Sequence, residues 1–146
     1  MDLKDVFFKE GFIFNLKGND KVEVFDEMIE VLYENNRIKD KENFKYAILK
    51  REEEGPTGIG NGIAIPHGVS DSVNIPTIIY GYKESGLKYE SLDNTDVNMI
   101  FMIAVPKGSN NEHLKILSQL ARALIHKEVV EGIKNAKSPE EILKVF

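Results

Sequence analysis

Thr57-Gly-Ile-Gly-Asn-Gly-Ile-Ala-Ile-Pro-His67-Gly68 is the stretch around which the rest of the chain is arranged. Five of the eleven glycines in the 146-residue sequence (Gly55, Gly58, Gly60, Gly62 and Gly68) fall in fourteen residues. Glycine loses more backbone freedom on folding than any other residue, so this density needs a reason. One reason is a tight structural loop that requires positive φ. The other is a set of backbone amides brought close to an anion, with His67 beside them. Composition does not choose between the two.

The elements on either side frame this stretch. Upstream, Phe12-Ile13-Phe14 with Leu16 predicts a first strand, ended by Gly18-Asn19-Asp20. Asp20 and Glu23 resemble a capping box, and Val22, Phe25, Met28, Ile29 and Leu32 then recur at helical spacing. Asn35-Asn36 is the expected stop. Asp40 opens a second helix whose buried face is Phe44, Ala47 and Ile48. Arg51 continues that face into the last turn, and Gly55-Pro56 ends the helix just before the glycines. Arg51 is either a cation favoured by the helix C-terminus or a phosphate ligand at the mouth of the loop.

Downstream, Ile75 to Tyr82 predicts a strand, with Pro76 at its start where a missing N–H is tolerated. Lys83-Glu84-Ser85-Gly86 and Leu92-Asp93-Asn94-Thr95-Asp96 read as turns. Val97 to Val105 is almost wholly apolar, the pattern of a central strand covered on both faces. Ser109 and Glu112 form an expected capping box for a helix bearing Leu114, Leu117, Leu120, Ala121 and Leu124. His113 shares a face with Leu117, Leu120 and Leu124 and so points inward. Ser138-Pro-Glu-Glu opens a last short helix, with Pro139 at the favoured first position. Helices between strands predict an α/β fold with helices on both faces of one sheet.

Bulk properties narrow the function. Apolar residues are 42% and charged residues 29%, the balance of an ordinary globular domain. The formal net charge of −5 argues against general nucleic-acid binding. There is no cysteine, which removes disulfides, thiolate chemistry and cysteine-based zinc sites, and fits an intracellular location. The first residues, Met1-Asp2-Leu3-Lys4-Asp5, carry acid and no signal-peptide apolar region. Apolar runs are far shorter than the roughly 20 residues that span a bilayer, so no membrane insertion is expected.

Familiar templates can be tested against the glycine stretch. It lacks the Gly-Lys-Ser/Thr of a nucleotide P-loop. Gly58-Ile-Gly60-Asn-Gly62 is not the Gly-x-Gly-x-x-Gly of dinucleotide folds, and it follows a helix instead of a strand. There is no Gly-x-Ser-x-Gly elbow. His67, His113 and His126 show no metal-binding spacing, and His126 reads as a surface residue near a helix end. That leaves His67 as a nucleophile. Neutral imidazole, with a reference pKa near 6.5, can take a phosphoryl group and release it again. Thr57, Arg51 and His113 are candidate partners for that group. On its own, His113 reads as a core histidine.

Arg51-Glu52 followed by Thr57 through Gly68 resembles the signature of enzyme IIA domains of the fructose/mannitol type, from the bacterial phosphoenolpyruvate:sugar phosphotransferase system. The similarity continues through Leu92-Asp93, Ala104-Val105-Pro106, Glu112-His113-Leu114 and Ser138-Pro-Glu-Glu-Ile-Leu. It implies a single domain over 1–146, built as a three-layer α/β/α sandwich around a mixed sheet. It also implies a phosphohistidine at Nε2 of His67, with His113 and Arg51 stabilising the phosphoryl group and Thr57, Asn61 and Gly62 as phosphate-site neighbours. The implied donor is the phosphocarrier protein HPr. The implied acceptor is a cysteine of a IIB domain, which serves a membrane IIC component. No cofactor or metal is implied, and the location is cytoplasmic. A nitrogen-regulatory IIA-like protein, signalling through its phosphorylation state, is the alternative. Two departures stand out. Glu54-Gly55-Pro56 precedes Thr57 where relatives often carry Gly-Ser, and Tyr89 replaces a frequent Trp, read as a packing difference only.

Overall fold

The computed structural model describes residues 2–146. A short 3-10 turn at Leu3–Val6 precedes β1 (Phe7–Ile13), α1 (Lys21–Glu34) and α2 (Lys41–Glu54). Three short strands follow: β2 (Gly58–Gly60), β3 (Ile63–Ala64) and β4 (His67–Ser70). The chain continues through β5 (Thr77–Leu87), β6 (Val97–Pro106), α3 (Asn110–Ala123), α4 (Lys127–Asn135) and α5 (Pro139–Lys144).

One mixed sheet runs in the order β1-β5-β6-β3-β2, and β4 also pairs with β6. The apolar run Val97–Val105 is central, as its composition predicts. It is antiparallel to β5 on one side and parallel to both β3 and β4 on the other. Its side chains alternate between two cores. Ile100, Met102 and Ala104 join Phe25, Met28, Phe44 and Ile48 of α1 and α2. Met99, Phe101, Ile103 and Val105 join Ile116, Leu120 and Leu124 from the α3 side, together with Ile133 and Ile142. The two cores place helices on both faces, which makes the expected three-layer sandwich. Each such large side chain, fully buried, contributes roughly 1.5–3 kcal/mol.

Helix starts follow the sequence closely. The Asp20 carboxylate accepts from the Glu23 amide, and Glu23 accepts from the Asn19 amide. Asp40 and Ser138 cap α2 and α5 in the same way. Ser109 differs. It occupies the position before α3, but its side chain makes no capping bond.

Several boundaries also differ from expectation. β1 begins at Phe7, so Phe14 and Leu16 lie beyond it. Val22 is 42% exposed, and Val24 takes the buried place in α1. Leu114 is 64% exposed, and Ile116 is buried in its stead. Lys83–Gly86 is not a turn. β5 runs through it to Leu87, with a shift of register after Tyr82 and positive φ at Gly86. α4 has no counterpart in the sequence reading.

The glycine stretch is strand, turn and strand. β2 and β3 form a hairpin across Asn61 (φ 57°) and Gly62 (φ 80°), both in the left-handed region. Asn-Gly at such a two-residue turn is the strongest short hairpin signal a sequence carries. Pro66 then separates β3 from β4, and its carbonyl accepts from the Ile103 amide. A Cβ on Gly68 would sit 3.2 Å from the Ala47 Cβ and 3.3 Å from the Ile48 amide nitrogen. Glycine there lets α2 lie directly against β4, which carries Arg51 toward His67.

Gly62 gives a direct test of the hairpin. A Cβ at this position would approach the Asn98 side-chain oxygen to 2.7 Å and would require positive φ from alanine. Gly62→Ala should lower unfolding stability by about 1–3 kcal/mol in urea titrations. Gly55→Ala is the control. Its φ of 160° and empty surroundings suit any residue, so the change should stay within about 0.5 kcal/mol.

Candidate functional site

His67 is the first residue of β4 and pairs with Ile103 of β6. Neighbours in register share a sheet face, and Ile103 belongs to the α3-side core. His67 therefore points toward α3. Gly68, one residue on, pairs with Ala104 and faces α2. β6 ends at Pro106 and α3 begins at Asn110. The first turn of α3 thus returns over the start of β4 and brings His113 to His67. Their ring centroids are 5.3 Å apart, tilted by 48°. Arg51 reaches the same place from the last turn of α2, and the three residues line one cavity of about 810 Å³.

The His67 ring is 7% exposed. Its Nδ1 hydrogen-bonds the Ile65 carbonyl at 2.9 Å. A carbonyl only accepts, so Nδ1 carries the proton and Nε2 holds the lone pair. Among the described residues Nε2 makes no hydrogen bond. Burial is the main influence that holds the His67 pKa below its ordinary value. The Ile65 bond opposes this, the Arg51 and His113 charges reinforce it, and the Glu52 charge opposes it. The imidazole is therefore neutral at pH 7, the form with a usable lone pair.

His113 is half-buried, and its Nε2 is shielded from solvent without a hydrogen-bond partner. An unpaired buried polar group is costly, and native structures carry few of them. Burial first, and then Arg51, hold its pKa down as well. Arg51 donates from Nη1 to the Gly55 carbonyl at 2.8 Å. It thereby satisfies one carbonyl beyond the end of α2 while remaining on the cavity wall. Lys50 and Lys107 line the same cavity, as does Tyr46, which is 62% exposed. Lys107 is 3.6 Å from Asp71, with both side chains mostly in solvent, a pairing worth little in water. Asp40, Glu42 and Glu54 line the wall as well, so the cavity carries both signs of charge, with Arg51 the cation that acts on His67 and His113.

The other three predicted residues are placed elsewhere. Thr57 is 2% exposed, and its hydroxyl is engaged by Glu52 and Tyr89. Asn61 and Gly62 form the hairpin turn and line a second cleft, with Asp93, Asn98 and Lys134. The structure brings His67, His113 and Arg51 together and does not bring Thr57, Asn61 or Gly62 onto that cavity. The positive φ values at Asn61 and Gly62 serve the turn.

Sequence reasoning missed two further features. Tyr46 and Lys50 lie four apart on one face of α2 and line the cavity with Arg51. Tyr89 was read as a packing change. Its hydroxyl is in fact 2.8 Å from Glu52 Oε1 and 2.6 Å from the Thr57 hydroxyl, so the difference from Trp is also one of hydrogen bonding. Among the described residues, no group of three or more His, Cys, Asp or Glu is placed to hold a metal ion, and no helix is long and apolar enough to cross a membrane.

Comparison with known proteins places this geometry. A fructose-specific EIIABC component of Bacillus subtilis (strain 168) is 38% identical over 146 residues, which are 100% of this chain and 23% of that protein. The chain thus spans about a quarter of that relative's length. A fructose-specific EIIA component of Haloferax volcanii is 34% identical over 119 residues, 82% of this chain and 77% of that one. Among solved structures, nitrogen regulatory protein IIA-Ntr from Neisseria meningitidis superposes with a TM-score of 0.90 at 25% identity, covering 98% of this chain and 97% of that one. Residues 5–146 match the family described as "Phosphoenolpyruvate-dependent sugar phosphotransferase system, EIIA 2". With its two histidines and arginine gathered at the carboxyl end of the central strand, the chain belongs to the EIIA 2 family of the phosphoenolpyruvate-dependent sugar phosphotransferase system.

Proposed function

We propose that this chain is a phosphoryl carrier that accepts a phosphoryl group on Nε2 of His67 from phospho-HPr and passes it to a cysteine of a IIB domain. The observation that carries the reading is the bond from His67 Nδ1 to the Ile65 carbonyl. It fixes the tautomer and leaves a lone pair on the other nitrogen, in a ring kept neutral by burial. The fructose-specific names of two relatives support a pathway of the fructose type. Work at the cytoplasmic face, beside a membrane IIC component, follows from the same role.

The transfer balances without a cofactor. The Nε2 lone pair attacks phosphorus, and the bond from phosphorus to the donor's nitrogen breaks. Nδ1 keeps its proton and its hydrogen bond to Ile65, so His67 becomes a phosphohistidine with no net proton transfer at the ring. In the second step a cysteine thiolate attacks phosphorus, the N–P bond breaks, and neutral imidazole is regenerated. Such exchange depends on positioning and charge stabilisation more than on covalent machinery. The arriving group brings a charge of about −2. Arg51 is at the cavity wall to meet it, and the unpaired His113 Nε2 gains a hydrogen-bond partner. The phosphoryl charge also raises the His113 pKa, reversing the effect of Arg51.

The structural likeness to nitrogen regulatory protein IIA-Ntr favours a second reading. In it the phosphorylation state of the same histidine acts by altering how the protein binds partner proteins. The two readings differ in the phosphoryl acceptor. Rapid transfer to a purified fructose-type IIB domain supports the transport role, and absence of any IIB acceptor supports the regulatory one.

Incubation with phosphoenolpyruvate, enzyme I and HPr should add one acid-labile phosphoryl group, read by intact mass. His67→Ala should acquire none; a His67→Ala protein that still gains it removes the proposal. His113→Ala should accept phosphate, with transfer slowed on the order of tenfold to a hundredfold. Unchanged transfer would remove His113 from the mechanism. Because the folded His67 pKa lies below the reference value of about 6.5, acceptance should hold steady as pH falls to that value and decline only below it. The unfolded chain protonates His67 first, so stability should also decrease on acidification through the same range. Both are checked by rate and denaturation profiles between pH 8 and 5, values chosen to bracket about 6.5.

A further inference from the structure

A buried polar cluster lies behind the His67 cavity. The Glu52 side chain is 6% exposed, although it follows the cavity residue Arg51 directly. Its Oε1 accepts from the Tyr89 hydroxyl at 2.8 Å and from the Thr57 hydroxyl. The two hydroxyls are themselves 2.6 Å apart. Two hydroxyl protons serve three oxygen pairs here, and an acceptor-only carboxylate takes both. Lys21 closes the far side, with Nζ 3.4 Å from Glu52 Oε2 and 4.7 Å from the centre of the Tyr89 ring. Burial raises the Tyr89 pKa, with Glu52 the next cause, so its hydroxyl keeps the proton it donates.

The cluster connects to His67 through the backbone. The Thr57 carbonyl accepts from the Ile65 amide at 3.0 Å. The carbonyl of that same Ile65 accepts from His67 Nδ1 at 2.9 Å. Thr57 is therefore held by its side chain at one end and holds Ile65 by its carbonyl at the other. Nothing else among the described hydrogen bonds anchors the Thr57 side chain. Pro66, between Ile65 and His67, has no amide proton to add a bond of its own.

We propose that Tyr89 and Glu52 are positioning residues for His67: acting through Thr57, they hold the backbone bond that aims the Ile65 carbonyl and so select the Nδ1–H tautomer. The inference rests on His67 as the phosphoacceptor for its functional meaning. Its structural content, a coupling between a hydroxyl cluster and an imidazole tautomer, does not. Neither Tyr89 nor Glu52 touches the transferred group.

The test uses the full chain with Thr57→Val, Thr57→Ser and Tyr89→Phe. Nitrogen-resolved NMR of the His67 ring reports the tautomer with no phosphoryl donor present, so it stands apart from the transfer reading. The native protein and Thr57→Ser should show the Nδ1–H form. Thr57→Val should show a mixture with the Nε2–H form and accept phosphate from HPr about tenfold more slowly, the lower end of what losing an outer partner of a functional histidine produces. Tyr89→Phe, the milder change, should shift both readouts in the same direction by less. A cluster that serves stability alone would lower the unfolding midpoint while leaving tautomer and rate unchanged in both Thr57→Val and Tyr89→Phe. That result would overturn the proposal.

Discussion

The hydrogen bond from His67 Nδ1 to the Ile65 carbonyl is the constraint on which the site depends. It is a bond between residues two apart on one edge of the sheet, across Pro66, with the same register to β6 before and after it. β3 ends at Ala64 and β4 begins at His67, and both pair in parallel with β6, at Met99 and Ile100 and again from Ile103 onward. The Pro66 carbonyl faces β6, where it accepts from the Ile103 amide, and the Ile65 amide is turned the other way, to the Thr57 carbonyl. The Ile65 carbonyl is thus outside the β6 ladder and meets the imidazole.

Charge and burial then act in the same direction. A histidine at 7% exposure with an arginine in range is disfavoured as a cation. The site thus sets a cation, Arg51, beside a neutral nucleophile, which suits an anionic electrophile. The absence of cysteine means that this chain cannot hold the phosphoryl group on sulfur itself. The proposed relay needs a donor and then an acceptor to reach the same nitrogen, and a cavity of about 810 Å³ leaves His67 reachable.

Much of this was legible in the residues. Asp20 and Glu23 announced α1, and the unbroken apolar run at Val97–Val105 announced a central strand, because both signals are local. His67, His113 and Arg51 were joined as a set by the family resemblance, and the fold brings them to one cavity. Val24 is buried in place of Val22 because it lies four residues before Met28 and joins the same face, while the rest of the expected face is buried as read. The rest was decided by contacts across the fold. Lys83–Gly86 has turn composition, yet pairing with β6 carries β5 through it with a bulge at Gly86. α4 is nine residues with Gly132 inside, a weak helical signal rescued by packing of Ile133 into the core. Asn61-Gly62 was available as a hairpin signal and was overshadowed by the neighbouring glycines. Tyr89 reaches Thr57 and Glu52 from 32 and 37 residues away, a distance no local pattern reports.

The account stands on one covalent bond. Nitrogen–phosphorus coupling in the NMR spectrum of the phosphorylated protein reads that bond directly, residue by residue and nitrogen by nitrogen. The structure leads to coupling between phosphorus and Nε2 of His67, with Nδ1 still protonated and bonded to Ile65. Coupling to Nδ1, or to His113 or His126, would contradict it.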